Sequence, residues 1–164
     1  MTHLIQKALK ATDWQQATTL LQEVYVGGSF TSTEAASEMM TRESLDPAGT
    51  LLIVKQEGSD TIIGATLFLH VNSPLQQLAR NGEREFRLLA VGSNARGKGV
   101  GEKLVQACID RAKAENATGL VLWTQPTMYA AHRLYERMGF LRAKERDVLD
   151  PRGWDRMVYA LDLR

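Results

Sequence analysis

The residues with the clearest chemical potential form a glycine-rich turn, Arg96-Gly97-Lys98-Gly99-Val100-Gly101. A strand-like segment precedes this turn, and the most regular helical pattern of the chain follows it. The first turn of a helix has N–H groups without partners and a partial positive charge, and glycines let an anion approach the backbone closely. Arg96 and Lys98 add full positive charges beside those N–H groups. The pattern therefore predicts a phosphate-binding turn.

Two other phosphate motifs fit this turn poorly. A Walker A loop needs a lysine followed by serine or threonine, whereas Gly101 is followed by Glu102-Lys103-Leu104. The dinucleotide fingerprint G-x-G-x-x-G fails because Glu102 stands where its third glycine belongs. The structural alternative is a tight turn with solvated Arg96 and Lys98, but three closely spaced glycines at a helix start are unfavourable unless a ligand must approach.

The turn resembles the R/Q-x-x-G-x-G/A signature of the GNAT superfamily of N-acetyltransferases. The preceding Leu88-Leu89-Ala90-Val91 resembles the bulged fourth strand of that family, and the segment from Ala131 to Phe140 resembles its A-x-x-L-Y-E-x-x-G-F segment. These elements span roughly the second half of the chain in the order of the family. The first half agrees only in its coarse order of helices and strands.

The resemblance implies one N-acetyltransferase domain over residues 1–164, of α/β class. Its mixed central sheet of about seven strands is expected to splay between the fourth and fifth strands, with about four helices on both faces. The implied reaction moves an acetyl group from acetyl-coenzyme A to a primary amine by direct attack in a ternary complex, without a metal. The cofactor is expected in the splay, here between Glu85–Val91 and Leu120–Thr124.

The resemblance also implies which residues hold the cofactor. Its pyrophosphate is expected on the amides of Gly97 to Gly101, and its pantetheine arm on backbone groups of Leu89 and Val91. An amide near Leu89 or Ala90 would bind the thioester oxygen. The full implied set comprises Leu89, Ala90, Val91, Arg96, Gly97, Lys98, Gly99, Val100, Gly101, Met128 and Tyr135.

Met128 departs from the family pattern, because many relatives have an asparagine seven residues before the tyrosine. The missing contact is either lost, supplied by Gln125 or Thr127, or replaced by the backbone.

The resemblance also implies catalytic roles. Tyr135, in the Leu-Tyr-Glu segment, is the candidate acid for the departing thiolate, and Glu85, at the start of the fourth strand, is the candidate base for the ammonium of the acceptor. The alternatives are a core position for Tyr135 and, for Glu85, a solvated ion pair with Arg84 or Arg87.

His70 and His132 are weaker candidates. His70 ends an apolar strand, and His132 lies one turn before Tyr135. Cys108 lies on an apolar helix stripe and is expected to be a buried structural thiol.

In the architecture that the resemblance implies, the acceptor is set by the segment between the first two helices, at residues 25–31, and by a final hairpin around Asp150 to Trp154. Tyr25, Phe30 and Trp154 are candidate pocket walls. Glu34 and Glu38, one helical turn apart, form either an attractive patch for a cationic amine or a solvated face. A small-molecule or peptide amine is the expected acceptor, and family analogy favours a homodimer. An acyl-coenzyme A-binding regulatory module without turnover and a nucleotide-binding interaction domain remain as alternatives.

Composition adds limits. The chain has 164 residues, 20 Lys and Arg against 19 Asp and Glu, and a net charge of +1, so we expect neither nucleic acid nor a membrane surface as the main partner. One cysteine excludes an internal disulfide and a cysteine-rich metal site. No long apolar run occupies residues 1–7, so we expect no secretion signal and a cytoplasmic location.

The order of elements is predicted as β-α-α-β-β-β-α-β-α-β-β. Capping boxes at Thr12–Gln15 and Thr31–Glu34 are expected to open the first two helices, the first ending at Gly27-Gly28 and the second before Asp46-Pro47. The remaining predicted elements are strands at Thr50–Gln56, Ile62–Val71, Glu85–Val91, Leu120–Trp123, Phe140–Asp147 and Trp154–Leu163, and helices at Val100–Glu115 and Pro126–Met138.

Overall fold

A mixed eight-stranded sheet forms the centre of the protein, whose computed structural model describes residues 4–164. In chain order the strands are β1 (Leu4–Lys7), β2 (Gly49–Lys55), β3 (Ile62–Leu69), β4 (Glu83–Val91), β5 (Gly119–Thr124), β6 (Leu141–Arg142), β7 (Val148–Leu149) and β8 (Asp155–Asp162). Their spatial order is β1-β2-β3-β4-β5-β8-β6, with β7 also on β8. β4 and β5 are parallel, and the other paired strands are antiparallel.

Helices cover both faces of this sheet. They are α1 (Ala11–Gly27), α2 (Thr33–Met39), α3 (Arg42–Leu45), α4 (Val100–Ala114) and α5 (Tyr129–Arg137). One apolar cluster packs α1, α2 and α3 against β2, β3 and β4. The other packs α4 and α5 against a surface that reaches from β2 across β4 and β5 to β8. The described residues therefore confirm the predicted α/β class.

The predicted starts of the first two helices are wrong by one or two residues. The first helix begins at Ala11, because the buried carboxylate of Asp13 accepts hydrogen bonds from the amides of Leu9 (3.3 Å) and Lys10 (3.2 Å). The second begins at Thr33, where Ser32 Oγ accepts from the Ala35 amide. The first helix ends at Gly27 as predicted.

The predicted second helix is in fact two helices. α2 ends at Met39, and the Thr41 hydroxyl then accepts a hydrogen bond from the Ser44 amide at 3.2 Å, which starts α3. Threonine is a favoured residue at this capping position, so it opens a new helix before Asp46-Pro47.

The closing strand pair also differs from the prediction. β8 is continuous, but the partner predicted over Phe140–Asp147 breaks into β6, a 3-10 turn at Lys144–Arg146 and β7. The side chain of Asp147 accepts a hydrogen bond from the Val158 amide at 2.9 Å, where a regular ladder would use a backbone carbonyl. Similarly, α5 begins at Tyr129 rather than at Pro126. The β2–β3 hairpin and α4 lie where the sequence predicts them.

Two irregularities of β4 prepare the site. Opposite Thr66 of β3, β4 has the two residues Leu88 and Leu89, and Leu88 adopts a positive φ of 63°. This is a β-bulge, as the resemblance to a bulged fourth strand predicts. On the other edge, β4 pairs with β5 only from Glu83 to Glu85. Beyond Glu85 the two strands are no longer paired, so the predicted splay is present.

Met1, Thr2 and His3 lie outside the described residues. The predicted absence of a secretion signal at residues 1–7 and the start of the predicted domain at residue 1 therefore fall partly outside them. Among residues 4–164 no helix has both the length and the apolar character needed to cross a membrane.

Candidate active site

The gap between β4 and β5 holds a narrow cavity of about 40 Å³, which adjoins a wider cleft of about 610 Å³. The cavity is lined by Tyr25, Phe86, Arg87, Leu88, Leu89, Leu122, Trp123, Thr124, Met128, Ala131 and Tyr135. Tyr25, Arg87, Leu88, Trp123, Thr124 and Met128 also line the cleft. The two spaces therefore meet at the splay, and residues of both β4 and β5 face their junction.

The glycine-rich turn leads into α4 from the end of β4. Gly97 and Gly99 have positive φ angles of 76° and 79°, and no atom lies within 4 Å of the position that a Cβ would take at either residue. Gly99 is the N-cap of α4 and makes no side-chain capping bond. The amides of the turn are therefore open to an anion, as a phosphate site requires.

The charged residues of the turn fit the same use. Arg96 and Lys98 are exposed, so both cations are free to approach a bound phosphate. Val100 is buried, and a Cβ on Gly101 would lie 3.2 Å from Leu134 Cδ2. Val100 and Gly101 therefore also serve the packing of α4, and only their backbone groups are suited to a ligand.

Leu89 and Val91 lie on the splayed part of β4. Val91 pairs with Gly64 of β3, whereas the bulge leaves Leu89 without a partner in that register. The Tyr25 hydroxyl donates a 3.3 Å hydrogen bond to the Leu89 carbonyl. Ala90 is buried and pairs with Ala65. A ligand that pairs with this edge would therefore find the Leu89 carbonyl already partly used.

Tyr135 closes the cavity from α5 and is 4% exposed. Its ring packs edge-on against Phe86 at 6.1 Å and lies near Phe140 and Tyr159. Burial raises the pKa of its hydroxyl well above the usual value of a phenol, so the hydroxyl keeps its proton at neutral pH. Tyr135 is thus a core residue, as its alternative predicts, and it also lines the cavity in the splay where the cofactor is expected.

Met128 lies at the N-terminus of α5 and lines both spaces. Its sulfur accepts a hydrogen bond from the Thr124 hydroxyl at 3.4 Å. The Gln125 amide, a predicted substitute for the missing asparagine, donates instead to the Phe30 carbonyl at 2.8 Å. Gln125 is therefore committed to holding the loop after α1, and Thr127 is exposed outside both linings.

Glu85 has a different environment from the one predicted. Its carboxylate is buried and accepts hydrogen bonds from the amides of Gln77, Leu78 and Ala79, the shortest being 2.8 Å from Leu78. Glu85 lines neither the cavity nor the cleft. The solvated pair with Arg84 or Arg87 is wrong, and this geometry argues against the predicted role as a base. Glu85 anchors the loop between β3 and β4.

Replacing Glu85 with glutamine is expected to lower the free energy of unfolding by about 1–3 kcal/mol, because an NH₂ group would face amide donors. Activity per folded molecule should change less than about twofold, and the pH dependence of kcat/KM should not move. Urea unfolding and rate profiles measure both, with the exposed Glu34→Gln as the matched control. A rate loss near a hundredfold at unchanged stability would restore Glu85 as the base.

The weaker candidates lie outside both linings. His70 is exposed after β3, as expected for a wet strand end. His132 contacts the Gln125 carbonyl through Nε2 at 2.9 Å and packs beside the Tyr159 ring. Cys108 is fully buried in the α4 cluster, and burial raises its thiol pKa, so it is a structural thiol as predicted.

The cleft takes in part of the predicted acceptor region, namely Tyr25, Phe30 and Thr31 from residues 25–31 and Arg152 from the hairpin. Glu38 also lines the cleft, and the other lining residues from the surrounding elements include Ala35, Met39, Met40, Ser44, Leu75, Gln77 and Arg156. Trp154 does not line the cleft but lies 6.2 Å from the Trp123 ring. Glu34 is also outside the lining, so of the two predicted acidic residues only Glu38 faces the cleft.

A buried carboxylate that the sequence does not predict lies at one end of the cleft. Asp150 is buried, and its carboxylate accepts hydrogen bonds from Arg152 Nε (2.8 Å) and Arg156 Nε (2.9 Å). Arg152 also donates to the Phe30 carbonyl at 3.0 Å. The sequence predicts Asp150 to Trp154 as a hairpin that contributes to the acceptor site, but it does not predict a buried carboxylate there. The sequence signal that could have indicated this ion pair network is the spacing of Asp150 two residues before Arg152 and six before Arg156.

Hydrogen bonds from Arg152 and Arg156 hold the pKa of Asp150 well below its usual range, against the opposing effect of burial. The folded-state pKa is thus below the unfolded value of about 3.9, so the ionised carboxylate stabilises the fold at neutral pH and loses this effect as the pH falls below about 4. Asp150→Asn should lower the free energy of unfolding by about 2–3 kcal/mol at pH 7. Urea unfolding should show the difference from wild type shrinking toward pH 3; a constant difference would contradict the ionic origin.

Residues 12–140 match the Acetyltransferase (GNAT) family, so the chain belongs to that family. Among curated proteins it is similar to the N-alpha-acetyltransferase 30 of Saccharomyces cerevisiae, with 44% identity over 57 residues, which is 35% of this chain and 32% of that protein. It is also similar to the N-acetylaspartate synthetase of Danio rerio, with 41% identity over 61 residues, 37% of this chain and 22% of that protein. The match thus spans a third or less of the length of these relatives.

Solved structures confirm the fold. A GNAT-family acetyltransferase from Staphylococcus aureus Mu50 superposes with a TM-score of 0.76 at 16% identity, over 99% of this chain and all of that one. A GNAT-family acetyltransferase from Brucella melitensis, in complex with acetyl-CoA, superposes with a TM-score of 0.67 at 16% identity, over 99% of this chain and 89% of that one.

Proposed function

We propose that this protein transfers the acetyl group of acetyl-coenzyme A to a primary amine by direct attack in a ternary complex. One observation carries the proposal. The turn with open space at Gly97 and Gly99 follows the splayed end of β4, and Tyr135 lines the cavity in the gap between β4 and β5. The strand edge left unpaired by the splay thus connects a candidate anion site with a protonated phenol. Family membership supports acetyl as the group transferred.

The residues of the turn fit a pyrophosphate. A Cβ at Gly97 or Gly99 would occupy space that is open, and both positive φ angles disfavour any other residue. The amides of Gly97 to Gly101 would hold the phosphates, with Arg96 and Lys98 neutralising charge. The edge at Leu89 and Val91 would hold the pantetheine arm. Acetyl-coenzyme A supplies the acetyl group as a thioester.

Proton balance assigns the remaining roles. The ammonium first gives one proton to water. The amine nitrogen then forms a bond to the acyl carbon as the carbon–sulfur bond breaks, the sulfur receives the proton of a donor, and a second proton leaves the nitrogen and restores that donor. Tyr135 is the proposed donor, since it lines the cavity in the splay and its phenol is protonated at neutral pH. With Glu85 committed to loop amides, water in the cleft is the proposed first acceptor of the ammonium proton. Glu38, the acidic residue of the described cleft lining, would draw the cation in.

The acceptor class is proposed as a small-molecule or peptide amine. The relatives named above are an N-alpha-acetyltransferase and an N-acetylaspartate synthetase. A homodimer stays a prediction from family analogy.

The test is an acetyl-transfer screen over amino acids, polyamines, aminoglycosides and peptides, with release of free thiol as the readout. Thermal shift with coenzyme A and with ATP runs in parallel. Turnover with any amine supports the proposal. Stabilisation by coenzyme A without turnover would favour a regulatory acyl-coenzyme A-binding module, and stabilisation by ATP alone would favour a nucleotide-binding domain.

A further inference from the structure

Two guanidinium groups converge on one indole ring at the junction of cavity and cleft. Arg87 Cζ lies 5.4 Å and Arg156 Cζ 4.7 Å from the centroid of the Trp123 ring. The three residues come from β4, β8 and β5, and all three line the cleft. Stacking on an indole orients each guanidinium and leaves its in-plane N–H donors available.

Most of those donors have no acceptor within residues 4–164. A guanidinium has five N–H donors. Arg87 makes one long hydrogen bond, from Nη1 to the Leu75 carbonyl at 3.4 Å. Arg156 gives Nε to Asp150 and keeps its terminal nitrogens unpaired. Nε1 of Trp123, the ring that both arginines contact, is buried without a partner among the described residues. Buried donors normally have partners, so this place lacks an acceptor.

The charge balance favours an anion at this place. Asp150 is shared by Arg152 and Arg156, so one carboxylate faces two guanidinium groups. Arg152 also donates to the Phe30 carbonyl, which commits it to the fold. Glu85 lies near Arg87 but gives its oxygens to loop amides. The three arginines of the described lining are therefore faced by two carboxylates, Asp150 behind Arg152 and Arg156, and Glu38 in the lining itself.

We propose that the acceptor is an amino acid or a similarly small amine whose carboxylate binds between Arg87 and Arg156 beside Trp123. This inference rests on the proposed function. A carboxylate accepts paired hydrogen bonds from guanidinium groups. Arg87 and Trp123 line both the cleft and the cavity that Tyr135 closes, so an anchored carboxylate leaves an amine a few bonds away at the gap. The cleft of about 610 Å³ suits a small molecule.

The experiment compares amino acids with their carboxamides, which keep the amine and remove the negative charge. Protein saturated with coenzyme A is titrated calorimetrically with each member of the panel, and steady-state acetyl transfer is measured for the same compounds. Wild type should bind at least one amino acid about tenfold more tightly than its amide. Arg156→Gln should raise the KM for the acid about tenfold, with kcat changed less than about threefold and no change for the amide. Arg156→Lys should have a KM for the acid between those of wild type and Arg156→Gln.

Arg42→Gln is the matched control, because Arg42 stacks on Trp14 at 5.3 Å and pairs with Asp46 outside the cleft. Arg42→Gln should change neither the KM for the acid nor the KM for the amide. Arg87→Gln provides a second arm, with circular dichroism to establish folding. Equal affinity for acids and amides, or an equal effect of Arg156→Gln on both, overturns the inference. If amines without a carboxylate are nevertheless acetylated, the proposed function stands and only the carboxylate site is wrong. If no amine is acetylated, the proposed function is wrong, and the calorimetric titration still tests the carboxylate site.

Discussion

Replacing Tyr135 with phenylalanine is expected to lower kcat about a hundredfold while the affinity for coenzyme A changes less than about threefold. The phenol is buried beside the cavity and, with its pKa raised, carries its proton. Removing it takes away the proposed donor to the departing sulfur, and donors of this kind typically contribute a factor of 10² or more. Thiol release at saturating acetyl-coenzyme A measures kcat, and calorimetric titration measures affinity.

The Tyr159 hydroxyl offers a control from the same aromatic group. It donates to Glu136 Oε2 at 2.7 Å, and its ring lies 5.8 Å from that of Tyr135. Tyr159→Phe should therefore lower stability by about 1–2 kcal/mol and leave kcat nearly unchanged. If Tyr135→Phe retains wild-type turnover, Tyr135 has no part in proton transfer and its task is packing alone.

Replacing Gly99 with glutamate is expected to weaken coenzyme A binding at least about a hundredfold. The glutamate carboxylate would enter the open space next to Gly99, where the phosphates are proposed to bind. A hundredfold loss of affinity corresponds to about 3 kcal/mol of binding free energy. The positive φ angle of 79° adds strain in any side-chain variant. Gly99→Ala separates strain from charge and should cost less than about tenfold. Both affinities are measured by calorimetry.

Gly58 is the matched control for this change. It also has a positive φ, of 73°, and no atom near a built Cβ, but it lies in the hairpin turn between β2 and β3. Gly58→Glu should suffer a similar backbone penalty and bind coenzyme A like wild type. Equal binding by the Gly99 and Gly58 variants would remove the phosphate from this turn.

Local patterns predicted the part of the site that depends on backbone. The glycine spacing and the apolar stripe of α4 are local, so the turn and the helix lie where expected. The bulge in the strand before them lies where the family resemblance implies it. Glu85 shows the limit of such reasoning. Its position on β4 was correct, but its partners come from a loop six to eight residues earlier in the chain, folded back over it.

The acceptor side was less predictable for the same reason. Arg87, Trp123 and Arg156 are far apart in sequence and meet only because β4, β5 and β8 are neighbours. No spacing rule relates such residues. The Asp150 network was within reach, since the acid and both arginines lie within seven residues, but its burial depends on the loop that carries Phe30.

The two faces of the sheet differ at the splay, with a consequence for the order in which the reactants bind. The apolar cluster under α4 and α5 contains residues of both β4 and β5, whereas the cluster under α1 contains residues of β4 and none of β5 among the described residues. The turn proposed to bind the phosphates leads into α4, on the first of these faces, whereas the cleft is lined by residues of α1 and α2 on the other. If the two reactants approach from opposite faces, neither needs to displace the other, and we expect initial-rate kinetics to show random rather than ordered binding.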